Sequence, residues 1–240
     1  MIEWLTRSRQ DPRIEVGGHL LPIAVRRHAR ASRMTLRLAP DGSEVRVTLP
    51  QWGRTAEAIA FAESRRDWLD QQLVKVPPAL KIGPGSTFEY RGAKVSVVWQ
   101  AEAARRPVLA NDRLTVGGPI DNLAPRIGRW LEKQALRHIR GDLAEYCQNA
   151  GAEVPSVRLS RAQRRWGSCA SDGTIRINWR LIQAPDCVRR SVVAHEVAHL
   201  VHFDHSPAFY QMLAAIYADD LSAADRWLKA HGRSLYAAFG

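Results

Sequence analysis

Alternating apolar and polar positions mark the first part of the chain as rich in β-structure. Residues 14–50 carry this pattern, and Pro40-Asp41-Gly42 predicts a turn inside it. Residues 55–75 instead carry an apolar stripe at helical spacing, which predicts one helix that ends before Pro77-Pro78. The predicted strands of this region are Met34–Leu38, Val45–Leu49, a hairpin over 86–99 and Leu114–Val116.

The pattern becomes mainly helical after Gly117-Gly118-Pro119, which we take as an internal boundary. A long apolar stripe over 122–150 predicts one extended helix. The sequence therefore predicts an α+β protein with an N-terminal β-rich region, residues 1–118, and a second region at 119–240. The remaining predicted elements are strands Ser156–Ser160 and Thr174–Asn178 and helices over 186–203, 207–218 and 222–231.

Length and composition exclude several protein classes. The chain has 240 residues, of which 45% are hydrophobic and 25% charged, as in ordinary globular proteins. The longest apolar run, Met212–Ala218, is far shorter than the roughly 20 residues of a membrane-spanning helix, and the N-terminus lacks a signal-peptide core. The three cysteines are widely spaced, so we expect no disulfide framework and a cytoplasmic location.

The charge of the chain is strongly positive and unevenly distributed. The formal net charge is +11, and residues 191–240 carry a net −2, so the first 190 residues carry +13. A positive field of this kind favours anionic partners such as nucleic acid or nucleotides. A solvated arginine-rich surface explains the same charge, and the composition does not separate the two interpretations.

The segment His195-Glu196-Val197-Ala198-His199 is the one that points most directly to chemistry. Because four residues make about one helical turn, His195 and His199 project from the same face of the predicted helix. Two neutral imidazoles placed in this way can bind one zinc ion. Glu196, beside them, can accept a proton from a water in the open position of the metal.

A catalytic zinc takes a third protein ligand and keeps one position for water. His205 is the better candidate, because it follows His199 by six residues, next to the helix start at Ser206-Pro207, where the chain has turned. His202 is more simply a surface residue or a neighbour of a ligand. The spacing also matches the metzincin pattern, but that pattern has glycine at the position of His202, so spacing alone does not assign that group.

A second constellation, Trp166-Gly167-Ser168-Cys169, lies between the two short strands that precede the predicted metal helix. Together with Thr174–Asn178, the His195–His199 motif and the His205–Phe209 segment, it resembles the YgjP-like (DUF45) family of metal-dependent hydrolases, which is related to WLM and SprT-type zincins. The hairpin over Arg33–Pro50 also resembles the N-terminal part of that family. The resemblance covers most of the chain.

The resemblance implies a zincin-like metallopeptidase domain in the C-terminal region. Its parts are a backing helix, a small sheet whose edge strand lies along the cleft, the helix of the HExxH motif and further C-terminal helices. The resemblance also implies His195, His199 and His205 as metal ligands, Glu196 as the general base and one Zn²⁺ per chain.

Further residues near the motifs are candidates for substrate contacts, and each has a plainer structural explanation. Arg164 and Arg165 can hold a phosphate or a carboxylate of the substrate, or they can be solvated loop arginines. Trp166 is more simply a packing anchor under the metal helix. Tyr210 can donate to an oxyanion, although helix packing explains it better. Cys169 is better explained as a small buried residue than as a fourth ligand or a nucleophile.

Three functions from different classes fit this sequence. A zinc peptidase fits best, with an edge strand that holds a peptide or protein substrate and Glu196 that activates a zinc-bound water. The positive charge favours, as an alternative, a hydrolase of nucleotide phosphoanhydrides, although a site of three histidines suits zinc better than magnesium. The second alternative is a SprT-like protease associated with nucleic acid, without a recognisable motif for sequence-specific binding.

Overall fold

The computed structural model describes residues 12–239. The chain divides into two compact units between Pro78 and Ala79. Within the described residues, the first unit is a four-stranded sheet covered by two helices. Its strand order is β1-β2-β4-β3, with β2 and β4 parallel and the other neighbours antiparallel. The bounds are β1 Arg13–Val16, β2 His19–Arg27, β3 Thr35–Leu38, β4 Val45–Leu49, α1 Thr55–Glu63 and α2 Arg66–Leu73.

The hairpin of β3 and β4 confirms the prediction from the alternating pattern, and Gly42 lies in its turn at φ +74°. The predicted helix over 55–75 instead forms as two helices. The Ser64 hydroxyl donates to the carbonyl of Phe61 at 2.9 Å, and Arg65 adopts φ −115° and ψ 19°, outside the helical region. A side-chain bond of this kind competes with propagation of the helix.

Within the described residues, the second unit contains two sheets and four α-helices. One sheet has the order β5-β6-β8-β7, and the other has the order β10-β11-β9, so β10 is an edge strand. The strands are β5 Thr87–Tyr90, β6 Ala93–Trp99, β7 Val108–Ala110, β8 Arg113–Val116, β9 Val157–Ser160, β10 Gly167–Cys169 and β11 Ile175–Asn178. The helices are α3 Leu123–Ala150, α4 Asp186–Val201, α5 Pro207–Ile216 and α6 Leu221–His231.

Helix α3 is the backing helix that the apolar stripe predicts. It ends at Gly151, whose left-handed φ of +64° suits glycine. Its buried face shares one apolar core with both sheets and with α4. Because strands β5 to β8 belong to this core, the predicted boundary at Gly118 falls inside the second unit. The extent predicted for the catalytic region, 119–240, stays a prediction.

The helices that follow the small sheet begin at residues suited to helix N-termini. The Ser206 hydroxyl accepts from the backbone N–H of Phe209, and Pro207 occupies the first position of α5, as predicted. The Asp220 carboxylate accepts from the N–H of Ala223 and so caps α6. Among the described residues, no helix combines the length and the apolar character that crossing a bilayer requires.

Candidate metal centre

Helix α4 and the turn after it bring three histidines together. His195 and His199 lie one turn apart on α4, with ring centroids separated by 4.8 Å. The helix ends at His202, which is extended, and the chain then turns so that the ring of His205 lies 5.3 Å from that of His195 and 4.7 Å from that of His199. One nitrogen from each of the three rings lies within 4.8 Å of the other two.

A contact with the backbone orients one of these rings, and the other two rings face each other. The Nδ1 of His199 lies 3.1 Å from the backbone carbonyl of His202. In the tautomer that donates to this carbonyl, Nδ1 carries the proton and Nε2 presents its lone pair to the centre of the cluster. The Nε2 atoms of His195 and His205 lie 3.4 Å apart, so they face the same point.

Phe209 lies beneath the three imidazoles and is fully buried. Its ring centroid is 5.0 Å from that of His195, 4.6 Å from that of His199 and 4.9 Å from that of His205. The capped start of α5 fixes its position. This role was not predicted from the sequence, although Phe209 closes the segment that carries the family resemblance and lies four residues after His205.

Glu196 lies on the side of α4 that faces the edge strand β10, and it is only 5% exposed. Burial raises its pKa to about 7, against the opposing effects of a hydrogen bond from the backbone N–H of Cys169 and of the Arg165 charge. Burial, together with the neighbouring His199 and His205, lowers the pKa of His195 to about 4. His195 is therefore a neutral imidazole at pH 7, the form that binds a metal.

A cavity of about 270 Å³ opens beside His195 and Glu196. It lies between α4, β10 and α6, and its volume falls just below the range of roughly 300–1,000 Å³ typical of small-molecule pockets. The other lining residues are Trp166, Gly167, Ser191, Val192, Leu221, Asp225 and Leu228.

Comparison with known proteins gives the family. A family model described as YgjP-like, metallopeptidase domain, matches residues 32–231. The chain belongs to the YgjP-like family. No curated protein matches the chain. Among solved structures, the metallopeptidase zymogen abylysin of Pyrococcus abyssi aligns with a TM-score of 0.35 and 18% identity, over 38% of this chain and 92% of the other.

The remaining predicted residues of this YgjP-like protein lie at different distances from the cluster. Trp166 lines the cavity and packs against Tyr236, with ring centroids 6.0 Å apart. Arg165 is close enough to Glu196 to lower its pKa, whereas Arg164 is an exposed loop residue. Of these three residues, Trp166 and Arg165 therefore lie near the site.

Tyr210, His202 and Cys169 contribute less directly. Tyr210 is 55% exposed, with its ring 6.3 Å from that of His205. His202 contacts His199 through its backbone carbonyl, and its ring is not one of the three that converge. Burial raises the pKa of the Cys169 thiol, which favours the neutral form, and its contact with Glu196 is made by the backbone.

Several other arginines of the second unit are engaged in ion pairs. Arg161 pairs with Glu132, and Arg190 pairs with Glu145. Arg189 is buried between Asp142 and Asp186. These side chains stabilise the scaffold rather than line the cavity.

Proposed function

We propose that this YgjP-like protein is a zinc-dependent metallopeptidase in which His195, His199 and His205 hold the metal and Glu196 is the general base. The observation that carries the proposal is the convergence of three imidazole nitrogens beside a buried carboxylate. Three imidazoles without a carboxylate suit zinc rather than magnesium or calcium. When bound, zinc supplies a Lewis acid and lowers the pKa of a water in its open position.

Glu196 carries the proton in this proposal. Its carboxylate takes the proton that the attacking water loses as the water oxygen adds to the peptide carbonyl carbon. It then returns that proton to the amide nitrogen as the C–N bond breaks, so that the products are a carboxylic acid and an amine. The N–H of Cys169 supports this role because it fixes the direction of the carboxylate.

The edge strand β10 supports an extended peptide as substrate. The carbonyl of Trp166 accepts from the N–H of Asn178 at 2.7 Å, and the N–H of Ala170 donates to Thr174 at 3.0 Å. Alternate residues of an antiparallel strand bond to the same neighbour, so the N–H and C=O of Gly167 point away from β11. A peptide added along this edge would place one side chain towards the cavity.

Nucleotide hydrolysis and association with nucleic acid stay predictions with less support. Part of the positive charge that motivated them is neutralised locally, since Arg161, Arg189 and Arg190 are paired with acidic side chains. The cytoplasmic location likewise stays a prediction.

The test combines metal analysis with two substrate panels. Wild type, His195→Ala and Glu196→Gln are compared for zinc content and for activity on a peptide library and on nucleoside triphosphates. We expect one zinc per chain in wild type and Glu196→Gln, and peptide cleavage that falls by about 10²-fold or more in Glu196→Gln. Folded wild type without metal would contradict the proposal, and Glu196-dependent phosphate release would replace peptide with nucleotide as substrate.

A further inference from the structure

Gly167 lies where a side chain would collide with Glu196. A β-carbon placed on Gly167 would lie 2.7 Å from Cγ and 2.8 Å from Cδ of Glu196, and closer still to Oε1. Carbon atoms in proteins do not approach to these distances without a shift of one partner. Gly167 is not among the residues with positive φ, so space rather than backbone conformation calls for glycine here.

Glu196 has little room to move away from such a side chain. It is 5% exposed, and it accepts a hydrogen bond from the N–H of Cys169, two residues along the same strand. In the register of β10 the N–H of Cys169, like that of Gly167, points away from β11. One short strand thus supplies both the gap that admits the carboxylate and the donor that orients it.

The residue before Gly167 is also closely packed. The ring of Trp166, the residue before Gly167, packs against Tyr236, and a β-carbon on Gly232 would lie 2.9 Å from Cζ2 of Trp166. Trp166 therefore fits closely against the residues after α6, and β10 cannot retreat from α4 without disturbing that packing.

We propose that Gly167 is the positioning residue for Glu196: the absence of a side chain allows the carboxylate to seat on the edge strand at the N–H of Cys169. The inference rests on the proposed function, in which Glu196 is the general base. It assigns a physical role to the glycine of the Trp166-Gly167-Ser168-Cys169 motif.

The first measurement compares Gly167→Ala with wild type in the full-length protein. We expect zinc content and KM to be retained and kcat to fall by about a hundredfold, because the metal ligands are untouched and the base is displaced. Gly141→Ala is the matched control, since a β-carbon there meets nothing within 4 Å, and it should leave kcat unchanged. A kcat of Gly167→Ala equal to that of wild type would overturn the inference.

The second measurement requires neither zinc nor catalysis. In metal-free protein, we expect Gly167→Ala to lower the melting temperature by about 4 °C or more. In the Glu196→Ala background, the same substitution should lower the melting temperature by less than half as much, because the colliding carboxylate is gone. Equal costs in the two backgrounds would overturn the inference. If Gly167→Ala alone does not fold, recovery of folded protein by Glu196→Ala supports the inference, and no recovery overturns it.

The two measurements separate this inference from the proposed function. Coupling between Gly167 and Glu196 without zinc binding or peptide cleavage would support the close contact and contradict the peptidase. Glu196-dependent cleavage without coupling would support the peptidase and contradict the role of Gly167.

Discussion

Helix α4 buries polar side chains in both of its halves, but the two halves satisfy them in different ways. In the N-terminal half, the side chain of Arg189 is 3% exposed and donates to Asp142 at 2.8 Å and also to Asp186. Arg190 bonds to the same Asp142 and to Glu145. Each buried charge of this network has an opposite partner, and the network joins α3 to α4.

The C-terminal half holds the buried Glu196 and the half-buried His195 and His199, which do not neutralise one another. His195 and His199 direct nitrogen atoms towards a shared point with His205, and Glu196 is bonded by one backbone N–H. Opposite charges in close ion pairs neutralise each other and therefore need no bound ligand. Convergent donors of one kind leave a site for an ion, and perturbed groups beside a cavity mark a functional site. The contrast separates scaffold from site within a single helix.

Removal of one converging histidine should produce the largest effect. We expect His205→Ala to lower zinc affinity by about a thousandfold, because a zinc site of roughly 10–16 kcal/mol shares its binding energy among few ligands. His202→Ala is the control and should retain most of the affinity, since the carbonyl that contacts His199 remains. Chelator competition measures both, and equal losses would mean that His205 is not a ligand.

Removal of one partner from the ion network should lower the stability of the protein and leave its zinc affinity unchanged. We expect Asp142→Ala to cost about 3 kcal/mol of unfolding free energy, the lower end of the range for a broken buried pair, because Arg189 keeps Asp186. Urea unfolding measures the cost, and zinc affinity should not change. The double variant Asp142→Leu/Arg189→Met removes both charges and should lose less unfolding free energy than Asp142→Ala. A larger loss in the double variant would show that the ion pair contributes net stability.

Acid should weaken the ion pairs of Asp186 with Arg91 and Arg189, because protonation removes the negative charge of the carboxylate. Burial raises the pKa of Asp186, but hydrogen bonds from Arg91 and Arg189 outweigh it and hold the pKa at about 2. An unfolded aspartate has a pKa of about 3.9, so the stabilisation is complete above pH 4 and is lost as the pH falls through 2.

With a third of the carboxylate exposed, we expect this loss to be about 1–2 kcal/mol. Unfolding of metal-free protein at pH 5 and pH 2 should show it, and Asp186→Asn should show a correspondingly smaller difference. The same pH dependence in Asp186→Asn would exclude Asp186 as the source.

The smallest effect should come from the thiol nearest the site. Cys169 contacts Glu196 through its backbone N–H, and its thiol lies 3.6 Å from the carbonyl of Ala170. We therefore expect Cys169→Ser to keep both zinc content and kcat. Loss of zinc in this variant would show instead that the Cys169 thiol is a metal ligand.

Much of the fold could be predicted from local pattern. The β3–β4 hairpin, the backing helix α3 and the capped start of α5 follow from alternation, an apolar stripe and the Ser206-Pro207 pair. Strands β7 and β10 have three residues each, too few for alternation to be visible. The break between α1 and α2 depends on a bond from the Ser64 hydroxyl, which competes with helical periodicity.

The candidate site likewise has a part that local pattern predicts and a part that it does not. The positions of His195, Glu196 and His199 on one helix follow from their spacing. The position of Phe209 under the imidazoles depends on how α5 packs against α4, and the contact of Gly167 with Glu196 joins two segments that lie apart in the chain. A glycine and a backbone N–H carry no side-chain signal, so their contribution is visible only once the strand is placed against the helix.

Local spacing along the chain shows which chemical groups this YgjP-like protein has available: two histidines one turn apart, a carboxylate beside them and a third histidine after a turn. The packing of the fold establishes that His205 returns to the cluster while the His202 ring does not, and that Arg189 and Arg190 belong to the scaffold. The difference comes from the range over which each interaction acts. Helical spacing and capping act within about one turn, whereas convergence, burial and ion pairing depend on how distant segments pack.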